Sequence, residues 1–371
     1  MRGLHIVMRF LIGAVALIMG STPWAQNNTK YVRISEYLQS YPQQTAIMDQ
    51  FAQVVREAPR PLDRRQISPT KIAIIYPGIQ ASDYWRRSLK SFEQRLQALE
   101  IEYRLNTYLS RPSIDTELQG EQLTEALAWK PDYLIFTLDS LHQRSMIERI
   151  LLKGKPKLIL QNITTPIRTW QNNRPFLYTG FDHALGTQLI ADRMRELGQP
   201  LSPYALLYFS QGYVSQMRGD TFASEMAGKS NLNQIASFYT DGNRGRARAA
   251  TEKVLAEHPD LKMIFASSTD IALGAINALE KADKLADITI NGWGGGEAEL
   301  KALRAGKLDL TVMRMTDDAS VAMAEAIKLD LQSQPERVPH IYSGDIIVLD
   351  QQTSLEQIER YKRRAFRYSS N

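Results

Sequence analysis

The sequence predicts an α/β protein with two doubly wound parallel-sheet lobes joined by a hinge. Short apolar segments alternate with amphipathic helices from residue 71 onward, the pattern of parallel sheets built from βαβ units. The strands fall into two runs, separated by a break near Thr165 and Pro166. A length of 371 residues is enough for two domains. Two runs of strands favour two facing lobes over the alternative, a single closed barrel.

The predicted strands are short runs rich in β-branched and aromatic residues. In chain order they are 71–75, 103–108, 132–138, 157–161, 204–210, 234–239, 262–267, 288–292 and 308–313. The first predicted helix carries one apolar stripe, formed by Trp85, Leu89, Phe92, Leu96 and Leu99. Similar spacing predicts further helices at about 142–154, 183–197, 245–257, 270–282 and 317–332.

The first 25 residues have the features of a secretory signal peptide. Arg2 and Arg9 form a basic start, an apolar run covers 10–20, and small residues follow at 21–25. This apolar run is shorter than the roughly 20 residues that span a bilayer, so we expect export with cleavage rather than a membrane anchor.

The remaining chain divides into an extension and two lobes. Proline residues break the approach to the first strand, so the residues before it form an added segment. The predicted division is a signal peptide at 1–25, an N-terminal extension at 26–70, an N-terminal lobe at 71–165 plus 316–338, and a C-terminal lobe at 166–315 plus 339–371.

Composition excludes several classes of protein. Lys and Arg number 45 against 40 Asp and Glu, too small an excess for a surface that tracks nucleic-acid phosphates. The chain has no cysteine, and hence neither a disulfide framework nor a thiol nucleophile. The histidines lie far apart, and no GxSxG elbow is present. We therefore predict a protein that is not an enzyme and that has no metal site.

A glycine-rich run, Gly292–Gly296 with Trp293 inside it, invites a nucleotide-binding interpretation. That interpretation fails because no Lys-Ser or Lys-Thr pair follows, and Glu297 stands where a dinucleotide fingerprint has its last glycine. Two alternatives remain open, a flexible turn and a backbone that approaches a ligand closely.

Polar and aromatic residues follow the carboxyl ends of several predicted strands. In open parallel sheets ligands bind beyond these ends. The candidate ligand-binding residues are Gln80, Ser82, Trp85, Asn162, Arg218, Thr269, Asp270, Trp293 and Arg314.

Each candidate also has a structural alternative. Ser82 and the pair Thr269-Asp270 could cap helices, Asn162 could cap a turn, and Trp85 could belong to the core. The two arginines could form surface ion pairs. Their joint position at strand ends favours a ligand site, and the inventory suits a ring with hydroxyl groups and a negative charge.

Several segments of the chain carry a resemblance to a known family. The segment Ser267–Ala275 is similar to a pattern found throughout the periplasmic binding proteins of the ribose-binding class, and further segments resemble the LuxP-type autoinducer-2 receptors of quorum sensing. These further segments are Tyr76–Gly78 with Ser82–Trp85, Gln161–Pro166, Arg218–Phe222, Ile290–Gly296 and Val312–Met315.

The resemblance implies a type I periplasmic binding protein fold and a ligand that is a furanosyl borate diester, with borate as part of the ligand and no separate cofactor. Arg218 and Arg314 match the borate-side arginines, where guanidinium groups would neutralise the anionic boron. The other candidates match positions that hold the ring and its hydroxyls.

The resemblance also implies a location and a partner. Receptors of this kind lie in the periplasm and regulate a LuxQ-type membrane sensor histidine kinase when their lobes close. We expect no nucleic-acid partner and no direct membrane insertion. The alternative is a sugar-binding protein that delivers a pentose-like substrate to an ABC transporter. The sequence leaves both roles open, because a receptor and a carrier use the same closure of two lobes.

Overall fold

The computed structural model describes residues 31–138, 141–170, 172–197, 202–227 and 232–370. The predicted signal peptide at 1–25 lies outside the described residues. Within the described ranges, no helix is both long and apolar enough to cross a bilayer.

The first sheet has six strands and forms the centre of the N-terminal lobe. Its order is β11-β5-β4-β3-β1-β2, and every described pairing in it is parallel. Its strands are β1 (Thr70–Tyr76), β2 (Tyr103–Leu109), β3 (Tyr133–Thr137), β4 (Lys157–Gln161), β5 (Leu177–Gly180) and β11 (Ile341–Ser343).

The second sheet also has six strands and forms the centre of the C-terminal lobe. Its order is β12-β10-β9-β8-β6-β7, with β12 antiparallel to β10 and the other pairs parallel. Its strands are β6 (Pro203–Tyr208), β7 (Asn233–Tyr239), β8 (Met263–Ala266), β9 (Thr289–Gly294), β10 (Leu310–Arg314) and β12 (Ile346–Asp350).

Helices connect the strands and cover the sheets. One of them, α7, is a continuous segment of three pieces, a turn at Tyr213–Ser215, a π-helical turn at Gln216–Asp220 and an α-helix at Thr221–Met226. The others are α1 (Ile34–Ser40), α2 (Gln43–Arg56), α3 (Tyr84–Ala98), α4 (Thr116–Ala128), α5 (Leu141–Lys153), α6 (His183–Leu197), α8 (Arg244–Glu257), α9 (Thr269–Lys281), α10 (Glu297–Arg304), α11 (Thr316–Leu331) and α12 (Leu355–Ala365).

The two-lobe prediction is confirmed, and each predicted strand is present with its ends within two residues of the predicted ones. Three strands were not predicted, namely β5, β11 and β12. Each has only three to five residues, and all three lie at or next to a sheet edge. A window this short holds too little alternation to identify a strand.

These extra strands change where the chain passes between lobes. The sequence places 166–180 and 339–343 in the C-terminal lobe, but β5 and β11 pair within the first sheet. The chain therefore leaves the N-terminal lobe after Gly180 and again after Ser343. It returns between β10 and α11, which packs against α3. These three connections form the hinge.

The topology leaves a crevice in each lobe before any side chain is considered. In the first sheet β1 lies between β2 and β3, and in the second β6 lies between β7 and β8. The strand order reverses at these points, leaving a crevice at the carboxyl ends of the strands.

Candidate functional site

The lobes face each other across one cavity at the carboxyl ends of their strands. Eight of the nine candidate residues line it, all except Asp270. The sequence analysis missed four further lining residues, which are Tyr84, Phe209, Val214 and Ser268.

The wall formed by the N-terminal lobe is neutral. Gln80 donates its side-chain N–H to the carbonyl of Pro77 at 2.7 Å, which holds the loop after β1. Trp85 packs its ring 4.6 Å from that of Tyr76 and 4.8 Å from that of Tyr84. It therefore serves the core as well as the cavity. Asn162 follows β4 with a φ of 66°, a left-handed conformation that asparagine adopts more readily than most residues.

The wall formed by the C-terminal lobe carries two buried arginines. Arg218 lies in the π-helical turn of α7, a type of turn often found at functional sites. Its Nη1 donates to the carbonyl of Ser267 at 2.7 Å, and its Cζ lies 3.6 Å from the centre of the Trp293 ring. One hydrogen bond along its edge and one ring against its face thus fix the plane of this guanidinium.

Arg314 ends β10 and is only 5% exposed. Its Cζ lies 4.0 Å from the centre of the Tyr84 ring, which belongs to the opposite lobe. Its Nε has no hydrogen-bond partner, and no carboxylate of the described ranges lies within ion-pair distance. Burial lowers the pKa of Arg314 from its ordinary value, while Tyr84, Glu299 and Asp83 act in the opposite direction.

The glycine-rich run forms an ordered turn that positions Trp293. The carboxylate of Glu299 accepts hydrogen bonds from the backbone N–H groups of Trp293 and Gly295, at 3.0 and 2.8 Å. Gly295 has a φ of 66°, and a Cβ there would lie 2.4 Å from the Cα of Met313. The close approach that the glycine permits is therefore to the neighbouring strand β10.

Asp270 joins the two lobes by hydrogen bonds. Its two carboxylate oxygens accept hydrogen bonds from the backbone N–H groups of Ala81 and Ser82, at 3.0 and 3.1 Å. Burial raises the pKa of this carboxyl, and the two N–H donors oppose that shift. The structure therefore places Asp270 in an interlobe contact, outside the cavity lining. Thr269, its neighbour, does line the cavity.

His183 links the two walls, and the sequence analysis did not select it. One ring nitrogen lies 3.2 Å from Nε of Arg218, and the other lies 3.2 Å from Oδ1 of Asn162. The positional rule that found the other residues applies here too, because His183 follows β5. The rule could not be used since β5 itself was not predicted.

No group of three or more His, Cys, Asp or Glu side chains that could hold a metal is present in the described ranges. The cavity is lined by aromatic faces, amides and hydroxyls, and its two guanidiniums both come from the C-terminal lobe.

Comparison with known proteins identifies the family to which the domain is similar. Residues 72–334 match the profile of the periplasmic binding protein domain. The chain is similar to the ribose import binding protein RbsB of Salmonella typhimurium, with 28% identity over 166 residues, and to that of Escherichia coli, with 27% identity over 166 residues. Each match covers 44% of this chain and 55% of the relative, so the chain spans about half the length of these relatives.

Solved structures share the fold. A periplasmic solute-binding protein of an ABC transporter from Actinobacillus succinogenes, with bound D-allose, has a TM-score of 0.66 at 20% identity, covering 79% of this chain and 100% of that one. One from Agrobacterium vitis, with bound α-D-tagatopyranose, has a TM-score of 0.69 at 17% identity, covering 79% and 98%. The shared architecture confirms the predicted type I fold. The relatives and neighbours are solute-binding proteins, in agreement with the prediction of a protein that is not an enzyme.

Proposed function

The chain belongs to the periplasmic binding protein domain family, and from this premise we propose that its cleft binds a small polyhydroxylated ring that carries a negative charge. The observation that supports this most directly is the buried guanidinium of Arg314. A buried cation is costly unless an opposite charge accompanies it, and no described carboxylate forms an ion pair with it. An anionic ligand would supply that charge when it binds.

The furanosyl borate diester of autoinducer-2 has the required chemistry. Its tetrahedral boron is anionic and would face Arg218 and Arg314. Their guanidinium groups would supply both N–H donors and positive charge. Its ring hydroxyls would contact the neutral wall formed by Gln80, Ser82 and Asn162. The protein would then be a periplasmic receptor of the LuxP type, signalling through a LuxQ-type sensor kinase.

The second candidate is a carrier that delivers a pentose or similar sugar to an ABC transporter. The named relatives favour this candidate over the first, since they are ribose import binding proteins and solute-binding proteins with bound sugars. Amides, hydroxyls and aromatic faces such as Trp85 and Trp293 suit a neutral sugar equally well. The two arginines would then serve ring hydroxyls or a sugar acid.

Calorimetric titration of the chain from residue 26 separates the candidates. The titrants are the autoinducer-2 precursor with borate, the same precursor in boron-free buffer, and D-ribose. Borate-dependent binding would support the receptor, and ribose binding without borate dependence would support the carrier. Failure to bind any of the three would contradict both candidates.

The periplasmic location is part of the same proposal. It is supported by the family and by the signal-like residues 1–25. Fractionation of cells that express the full chain should place a shortened product in the periplasmic fraction, and retention of the full-length chain in the cytoplasm would contradict it.

A further inference from the structure

His183 is the one buried histidine that touches residues of both walls of the cavity in the described part of the chain. It is the first residue of α6, directly after the chain leaves the first sheet. Its side chain is fully buried. The ring centre lies 5.0 Å from that of Trp293 and 5.4 Å from that of Tyr213, so two aromatic rings pack against the imidazole.

The hydrogen-bond partners of this ring determine where its proton lies. The Nε of an arginine can only donate, so Nδ1 of His183, 3.2 Å from Nε of Arg218, must be an unprotonated acceptor. A neutral imidazole then carries its hydrogen on Nε2, which donates to Oδ1 of Asn162 at 3.2 Å. Burial, followed by the charges of Arg218 and Arg314, lowers the pKa of His183 well below its ordinary value. The neutral form is therefore the stable one.

The proton position on His183 also fixes the orientation of its two partners. Asn162 must turn its carbonyl oxygen towards the ring, and its amide nitrogen accordingly points away from Nε2. Arg218 is held at Nε by His183, at Nη1 by the carbonyl of Ser267, and on one face by Trp293. Asn162 belongs to the N-terminal lobe and Arg218 to the C-terminal lobe.

We propose that His183 is a positioning residue that orients Asn162 and Arg218 relative to each other across the cleft, through its neutral Nε2–H tautomer. This inference rests on the proposed binding function, since its purpose is to present an amide and a guanidinium to one ligand from opposite lobes. A cationic histidine could not serve, because Nδ1 would then confront the Nε–H of Arg218 with a second hydrogen.

Two conservative variants separate the contacts of the ring. His183→Asn keeps a polar atom near the position of Nδ1, and His183→Gln keeps one near the position of Nε2. We expect each variant to weaken binding of the titrant that the wild type binds by about three- to tenfold, the cost of losing one buried hydrogen bond. His258→Gln, at the C-terminal end of α8, is the matched control and should bind like the wild type.

Double-variant cycles give the readout that a merely structural role would not change. In the His183→Asn background, Asn162→Ala should cost less affinity than in the wild type, because the amide is already released. In the His183→Gln background, Arg218→Lys should likewise cost less. Additive losses in both cycles would overturn the proposal, as would wild-type affinity in both single variants.

The proton position can be measured without any ligand. In the protein labelled with ¹⁵N at histidine, the signals absent from His183→Gln should show a protonated Nε2 and an unprotonated Nδ1. A protonated Nδ1 would refute the proposed orientation. If the wild type binds none of the three titrants, the binding function fails, while this spectrum still tests the role of His183 separately.

Discussion

The N-terminal lobe buries the guanidinium of Arg95 beside a carboxylate, whereas the C-terminal lobe buries that of Arg314 between aromatic rings. Arg95 is 1% exposed and donates its Nε to Glu325 at 2.8 Å, with further hydrogen bonds to the carbonyl of Glu57 and the hydroxyl of Tyr368. Arg314 is 5% exposed and has no ion pair in the described ranges.

The difference separates a cation that serves the fold from one that, by our proposal, serves a ligand. A buried charge is tolerated when it is paired and hydrogen-bonded, and it is costly otherwise. The contacts of Arg95 join the N-terminal extension, α11 and the C-terminal segment, so its charge serves the fold. Arg314 faces the cavity with a donor unused, so we attribute its charge to the ligand.

The largest effect is expected from breaking the paired site. Glu325→Gln leaves Arg95 buried without its counter-charge, which should lower the free energy of unfolding by about 3–5 kcal/mol. Urea denaturation measures this. Glu336→Gln, at an exposed position, is the control and should change stability little. A loss below about 1 kcal/mol for Glu325→Gln would show that the pair is not structural.

Removal of Arg314 should have the opposite effect: it should weaken ligand binding without lowering stability. Arg314→Met should weaken binding of an anionic ligand by about 2–3 kcal/mol, the value of a charge-assisted contact, while the free energy of unfolding stays equal or rises. Calorimetry and urea denaturation measure the two quantities. Lys301→Met on the exposed face of α10 is the control.

A residue of the neutral wall shows how much affinity an uncharged contact contributes, for comparison with Arg314. Gln80→Ala, on the N-terminal lobe, removes an uncharged contact and should cost about 0.5–1.5 kcal/mol. If Gln80→Ala cost more than Arg314→Met, the assignment of charge recognition to the C-terminal lobe would be wrong.

Asp318, a second buried carboxyl on α11, also lies near arginines. It tests whether such ion pairs in the N-terminal lobe always compensate for the cost of burying a carboxylate. Burial raises the pKa of Asp318 from 3.8 to about 6, although Arg367 and Arg364 oppose the shift. The folded state therefore binds the proton more tightly than the unfolded state, and stability is greatest when Asp318 is protonated.

The consequence is a fall in stability as pH rises. Between about pH 4 and pH 6, Asp318 should reduce the free energy of unfolding by about 2 kcal/mol. Urea denaturation across this range should show the decline in the wild type and a smaller one in Asp318→Asn. Identical pH profiles would mean that Asp318 does not titrate as its burial implies.

A small effect, similar to that of Gln80→Ala, is expected at the contact between the lobes. Asp270→Asn replaces one of two acceptors by a donor that confronts a backbone N–H of Ala81 or Ser82. Closure should weaken, lowering ligand affinity by about 1 kcal/mol, near fivefold. Small-angle scattering of the ligand-bound protein should show a larger open fraction. A loss as large as that of Arg314→Met would instead indicate direct contact with the ligand.

Much of the fold could be predicted because its signals are local. A strand such as 157–161 and a stripe such as that of α3 show their periods within one window. The boundaries between lobes could not be predicted in the same way. β5 and β11 are recognisable only by their pairing within the first sheet, β5 with β4 and β11 with β5, and 160 positions of chain separate β5 from β11.

Most residues that line the cavity could be predicted for a related reason. Chain direction alone brings Ser82, Asn162 and Trp293 to the same edge of their sheets, so residue type and strand position were sufficient. The role of Asp270 was not accessible, since its partners Ala81 and Ser82 lie in the other lobe. His183 was missed together with the strand that precedes it.

The sequence by itself therefore determined the two-lobed α/β architecture and the chemical inventory at the strand ends, because both follow from periodicity and chain direction. Only the tertiary structure decided that Arg95 has an ion-pair partner while Arg314 has none among the described residues, and that one neutral imidazole joins Asn162 to Arg218. The physical reason is that burial and hydrogen bonding depend on which distant residues meet, and a buried group changes its energy with every partner it gains or lacks.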